Sequence, residues 1–228
     1  MAAVSTPDIS RETSREQDAV RILLIISAAA TPIPGDGAGG SDWVAVLESQ
    51  VRLQKLDFWV RNPDYFSIAL MQEYQETSDQ RLFDLAQSIL DSEEPEVRRY
   101  PMLRYLFGAW ERLDDALAVL RSAGLVVRRR RGAVGTRAQS FYYLTRRGRE
   151  VAERIVREHP VFRYFVDRTR LVADFTDGRL GTHLKELQYR QEEYRDTELR
   201  QRIRPVTPRA RALLEELGRA DDGGRRSA

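Results

Sequence analysis

Apolar residues recur along this chain in helical rhythm for most of its length and in alternating rhythm over one short stretch. The run "ILLIISAAA" (Ile22–Ala30) predicts a core helix over Arg15–Ala30. It stops at "TPIPGDGAGGSD", where two prolines and four glycines forbid regular structure. Val44, Leu47 and Val51, then Leu53, Leu56 and Val60, predict a second helix through "WVAVLESQVRLQKLDFWVRNP", capped by Asp42 and ended by Asn62–Pro63. "DYFSIALMQEYQ" and "DQRLFDLAQSIL" predict two shorter helices joined by the polar "ETS", and the acidic "DSEEPE" predicts a surface loop.

The middle of the chain is the most informative. "RRYPMLRYLFGAW" predicts an extended segment ending at Gly108. Leu113, Ala116, Leu117 and Leu120 then mark one face of a helix over Glu111–Ala123. Gly124 follows at the position where glycine enters the left-handed conformation cheaply. "LVVRRR" and "QSFYYL" predict the two strands of a hairpin with a glycine-punctuated, arginine-rich tip, and Thr145 is the N-cap of a helix carrying Val151, Ala152, Ile155 and Val156. Helix, glycine, hairpin and helix in this order predict a winged helix. The expected fold is mainly α with a small β-hairpin wing: a winged-helix domain extended by N-terminal and C-terminal helices.

His159–Pro160 is the expected boundary of the C-terminal part. Phe162, Phe165, Thr169, Val172 and Phe175 predict an amphipathic helix, broken by "GRLGT". Thr182 caps a very polar segment, "HLKELQYRQEEYRDTELRQRI", whose sparse anchors Leu184, Leu187 and Tyr194 place it on a partner. Thr207–Pro208 is an N-cap and N1 pair for a short last helix with Leu213, Leu214 and Leu217. The expected organisation is a flexible N-terminus (1–14), a helical plus winged-helix domain (15–158), a C-terminal helical extension (159–218) and a flexible tail (219–228).

Composition narrows the class. Charged residues make up 32% of the 228 and hydrophobic ones 42%, which fits a soluble globular chain rather than a disordered one. With no cysteine, disulfides and zinc–thiolate sites are excluded and a cytoplasmic setting is expected. "ILLIISAAA" is shorter than the roughly 20 residues a membrane helix needs, and the acids preceding it do not suit a signal peptide. The net charge of +2 hides a strong asymmetry. Glu73–Glu96 holds eight acids against one arginine; Arg121–Arg163 holds twelve arginines against three glutamates.

Candidate chemistry is sparse. The two histidines, His159 and His183, are far apart, and "HLKE" lacks the second histidine of a zincin pattern. "PGDGAGG" has neither the lysine nor the preceding strand of a phosphate cradle. Asp167, Asp174 and Asp177 share a helix face, but a solvated acidic edge is the expectation. No catalytic residue, metal or cofactor is assigned. Arg128, Arg129, Arg130, Arg131 and Arg137 are the candidate DNA contacts, through phosphates; alternatively they only keep an exposed hairpin from edge-to-edge association. The helix that would read bases offers Glu111, Asp114 and Asp115 instead of Asn or Gln, which argues against an ordinary repressor. Trp43, Trp59, Trp110, Phe58 and Phe107 are assigned to packing, with Trp59 the one expected to reach an interface. Phe162 and Phe165 join Trp59, Leu184, Leu187 and Tyr194 as candidate partner-interface residues.

Three segments carry a resemblance. "KLDFWVRNPDYF" (Lys55–Phe66), "YLFGAW" (Tyr105–Trp110) and "LTRRG" (Leu144–Gly148) follow, in order, the "KLDFFLRYPxYL", "RYGPWD" and "LTxxG" segments of the middle components of ABC-three-component systems. These are the bacterial anti-phage modules grouped as Lamassu. The chain resembles them over roughly residues 20–203. It departs from them at Ala109, where proline is usual, at Glu111, where aspartate is usual, and in a longer, more acidic stretch from Gln72 to Arg98. The resemblance implies a non-enzymatic accessory subunit that joins an SMC-like, DNA-sensing coiled-coil ATPase to an effector, often a nuclease, in a heteromeric complex. The alternative is a homodimeric winged-helix transcription regulator.

Overall fold

A computed structural model describes residues 14–34, 42–94, 102–105, 108–110, 113–132, 138–175, 186 and 188–225. The fold is mainly helical, with one small four-stranded antiparallel sheet. Helix α1 (Arg15–Ala29) starts at Ser14, whose hydroxyl accepts from Gln17 N while the Gln17 side chain accepts from Ser14 N. Ile22, Leu23, Leu24, Ile25 and Ile26 are all buried, so this helix is enclosed on several sides, as its continuous apolar run requires.

Strand β1 (Thr31–Pro32) pairs with β2 (Trp43–Glu48), and β2 with the much later β6 (Gln139–Thr145). Here the structure corrects the sequence reading: "WVAVLE" is a strand, and Asp42 caps no helix there. Its backbone carbonyl accepts from Arg146 N instead. Val44, Leu47 and Val51 match a helical period by coincidence, whereas the buried pair Ala45 and Leu47 follows the strand period of two. The turn out of β2 is made by Ser49, at φ 73, whose hydroxyl accepts from Val51 N and Arg52 N to open α2 (Gln50–Arg61).

Helix α3 (Pro63–Thr77) follows with Pro63 in its first turn, then α4 (Gln80–Asp91), capped by Asp79. The expected extended segment is a short hairpin, β3 (Leu103–Tyr105) and β4 (Gly108–Trp110), so it turns back at Gly108 instead of ending there. Helix α5 (Asp114–Ser122) packs on α1 and leads through Gly124, at φ 69, into β5 (Val126–Arg131). β5 pairs with β6, giving the sheet order β1-β2-β6-β5. Thr145 then caps α6 (Arg146–Glu158), accepting from Gly148 N at 2.9 Å.

Beyond His159, a 3-10 turn (Pro160–Phe162) leads into α7 (Arg163–Phe175), which lies against α1 and α2. Its side chains reach inward: Tyr164 Oη donates to Val60 O, and Phe175 meets the ring of Phe66 at 5.7 Å. The polar segment expected on a partner is instead folded onto this chain. Its described residues include helical positions at 186 and 188–189 and a short helix, α8 (Glu192–Asp196), and Gln188, Gln191 and Tyr194 are fully buried. Residues 200–203 run beside β3, with Ile203 N donating to Met102 O and Arg104 N to Gln201 O. Helix α9 (Thr207–Arg225) packs on α3 and α4 and continues well into the tail expected to be loose.

Candidate nucleic-acid interface

The β5–β6 register divides the arginine run between two faces. Residues directly opposite each other in an antiparallel pair share a face. Arg128 stands opposite Tyr142 and Arg130 opposite Ser140, on the side that carries the buried Val126, Leu144 and Tyr142. Arg129 stands opposite Phe141 and Arg131 opposite Gln139, on the outer side. Four consecutive arginines therefore do not form one patch.

Arg128 is half-buried and held by neighbours on three elements. Its guanidinium donates to Asp114 at 3.3 Å, to Ser140 Oγ at 3.2 Å and to Gln50 Oε1 at 3.4 Å, and lies 5.9 Å from the centre of the Tyr142 ring. Those contacts tie β5 to α5, β6 and the start of α2, so Arg128 braces the hairpin. Burial, opposed by Arg128, pushes the Tyr142 phenol above its ordinary range. Arg130 is exposed on the inner side. Arg137 lies outside the described residues.

The outer face joins arginines to rings. Trp43 stacks on Tyr143 with centroids 4.3 Å apart and planes at 30°. The Arg129 guanidinium carbon lies 5.8 Å from the Trp43 ring centre. That of Arg131 lies 5.5 Å from Phe141 and 5.9 Å from Tyr143. Arg129 and Arg131 are exposed, Trp43 and Phe141 half-buried, and Tyr143 lies beneath Trp43 and Arg131. The aromatic half of this site was missed in the sequence, where Trp43 was assigned to packing and the tyrosines to hairpin strands. The alternation of Phe141 and Tyr143 with Tyr142 and Leu144 was the signal available.

The candidate partner-interface residues scatter. Trp59 is 1% exposed and Tyr194 0%, so neither is at a surface of this chain. Trp59 is enclosed by Phe58 and Phe66; Tyr194 by Phe58 and Tyr189. Phe162 and Phe165 are half-buried and pack against the core and each other. Leu184 and Leu187 lie outside the described side chains. Near the 3-10 turn, a groove of about 660 Å³ between α1, α6 and α7 has Leu24, Val156 and Val166 in its lining and arginines at 149, 157, 163 and 170 around it.

The polar residues of "KLDFWVRNPDYF" have internal partners. Lys55 is buried and donates to Gln188 Oε1 at 2.5 Å and to Tyr194 Oη at 3.3 Å. Asp57, also buried, accepts from Arg21 at 2.8 Å and Arg61 at 3.3 Å, joining α1 to α2. Burial works to lower the Arg21 pKa, but Asp57 and Asp18 outweigh it and raise it; at Arg61 burial prevails and the pKa falls. Asp64 accepts from Val206 N at 2.8 Å at the entry to α9. Of the acidic edge Asp167, Asp174 and Asp177, the last lies outside the described residues, and among those described no cluster of three or more His, Asp or Glu converges as a metal site would. No helix among them is long and apolar enough to cross a membrane. Compared with protein-family models, with curated proteins and with solved structures, the chain matches none.

Proposed function

We propose that this chain is a winged-helix accessory subunit, without catalysis of its own, that links an SMC-like DNA-sensing ATPase to an effector in a bacterial anti-phage complex. The topology supports the winged helix. A helix, an inner strand, further helices, a helix in the recognition position (α5) and a hairpin follow in order, and the strand order β2-β6-β5 is the one that fold uses. The insertion of α3, α4 and the β3–β4 hairpin between the second helix and α5 is what enlarges it.

The observation that carries the accessory role is the state of α5. Its exposed first turn presents Asp114 and Asp115, and Asp114 is engaged by Arg128 of the wing strand. A helix whose first turn is so charged repels a phosphate backbone. The scaffold therefore serves protein assembly, with nucleic-acid contact as an auxiliary property. The resemblance of the Lys55–Phe66, Tyr105–Trp110 and Leu144–Gly148 segments to the middle components of Lamassu systems supplies the kind of partner.

Gentle affinity purification of the tagged chain from its host, followed by mass spectrometry, tests this. A large coiled-coil ATPase and a second small subunit are the expected companions. Recovery of a homodimer alone, protecting a discrete promoter fragment, would replace this reading with that of a transcription regulator.

A further inference from the structure

We infer that the outer face of the four-stranded sheet binds single-stranded nucleic acid, with Trp43 and Phe141 as the stacking surface, Tyr143 as its backing, and Arg129 and Arg131 as the cations. This goes beyond the accessory role and does not depend on any partner.

Three features of the face support it. The first is composition: among its described side chains, three aromatic rings lie together on neighbouring strands, with two exposed guanidinium groups reaching back across them. Rings and guanidinium planes are the two kinds of side-chain surface on which unpaired bases stack. The second is spacing. Arg129 and Arg131 are two residues apart on one strand, hence roughly 6.6–6.8 Å apart in backbone position. Two cations held at such an interval meet a linear chain of phosphates better than a compact anion. The third is charge. Glu48, in register with Phe141, is exposed at the end of β2 away from Trp43, and leaves the two arginines in excess over the rings.

The same features favour a single strand over a duplex. A duplex conceals its bases, so the rings would have nothing to stack on. An acidic protein segment would use the arginines but gains no comparable benefit from the rings.

The test is binding of a fluorescent oligo(dT) of about 20 nucleotides to the full chain across a salt series. The unaltered protein is expected to bind it at least tenfold more tightly than a duplex of the same length. The Arg129→Ala/Arg131→Ala double variant, altered only at exposed positions, is expected to lose at least tenfold in affinity. It should also lose about 1.4 from the slope of log affinity against log salt, since each phosphate contact on a single strand contributes about 0.7. Arg130→Ala, on the opposite face, should stay within about twofold of the unaltered chain. Photo-crosslinking of a bromodeoxyuridine-substituted strand should label peptides containing Trp43 or Phe141.

Preference for the duplex, an unchanged salt slope in the double variant, crosslinks confined to α5 or α6, or equal competition by polyglutamate would each overturn the proposal. Failure of the ATPase to co-purify would sink the accessory role and leave this one standing; the reverse also holds.

Discussion

A methyl group added to Gly148 would sit 2.2 Å from Leu125 O and 2.9 Å from Leu144 Cδ1. That single approach explains a motif. In "LTRRG", Thr145 Oγ1 accepts from Gly148 N and donates to Gly124 O at 2.8 Å, so threonine and glycine together lock the start of α6 against the turn into β5. Gly148→Ala is expected to destabilise the chain by about 1–3 kcal/mol, because a backbone carbonyl cannot step aside as a flexible side chain would. Gly218 in α9 is the contrast: a methyl group there meets only Phe83 Cζ at 3.7 Å. Gly218→Ala should be neutral or stabilising by up to about 1 kcal/mol, from helix propensity. Urea unfolding of both variants checks the pair. Both residues are plain in the sequence, but only the backbone positions around them separate their roles.

At the scale of elements, α2 and α3 act as a hub. Asp57 joins α1 to α2 through Arg21 and Arg61, Lys55 donates to Gln188 and Tyr194, and Asp64 accepts from Val206. Removing the shared carboxylate leaves two buried guanidinium groups without it, a loss typically of about 3–5 kcal/mol. Asp57→Ala is therefore expected to unfold at much lower urea than the parent, or to be recovered only as aggregate. A parent-like midpoint would show that the pair is dispensable. Sequence pattern reached the helices well, because α1, α2 from Gln50 onward, α3, α4 and α5 each bury a continuous or one-sided apolar set. It failed at β2, where six residues are too few to separate a period of 3.6 from one of two. It failed too at Trp59 and Tyr194. Tyr194 is enclosed by Phe58 and Lys55, more than a hundred positions earlier, and no local pattern reports such a neighbour. The arginines of the β5–β6 hairpin were legible as a run, whereas their division between faces needed the register of the two strands.

For the molecule as a whole, the C-terminal segment is part of the core. The Tyr65 hydroxyl donates to Arg204 O, Gln191 donates to Tyr65 O, and Tyr194 Oη accepts from Ala109 N. Burial pushes the phenols of Tyr65 and Tyr194 above their ordinary value near 10, with Asp64 and Glu193 adding to the rise at Tyr65. The folded chain thus keeps these protons where the unfolded chain has released them. Their contribution is complete below about pH 10 and is lost as pH climbs toward the raised folded values. The urea midpoint is expected to fall as pH rises above about 10, and to fall less steeply in Tyr65→Phe/Tyr194→Phe. Equal slopes in the two proteins would place the alkaline sensitivity elsewhere.

The pairing of β2 with β6 sets a timetable for synthesis. The two strands lie roughly a hundred residues apart, and at about 5–20 residues per second the ribosome needs on the order of ten seconds to deliver the second after the first. During that interval β2 has no strand neighbour but the two-residue β1, and α1 waits for the later helices that enclose it. The nascent chain thus carries its most apolar helix ahead of its cover, which makes it a natural client for a chaperone at the exit tunnel.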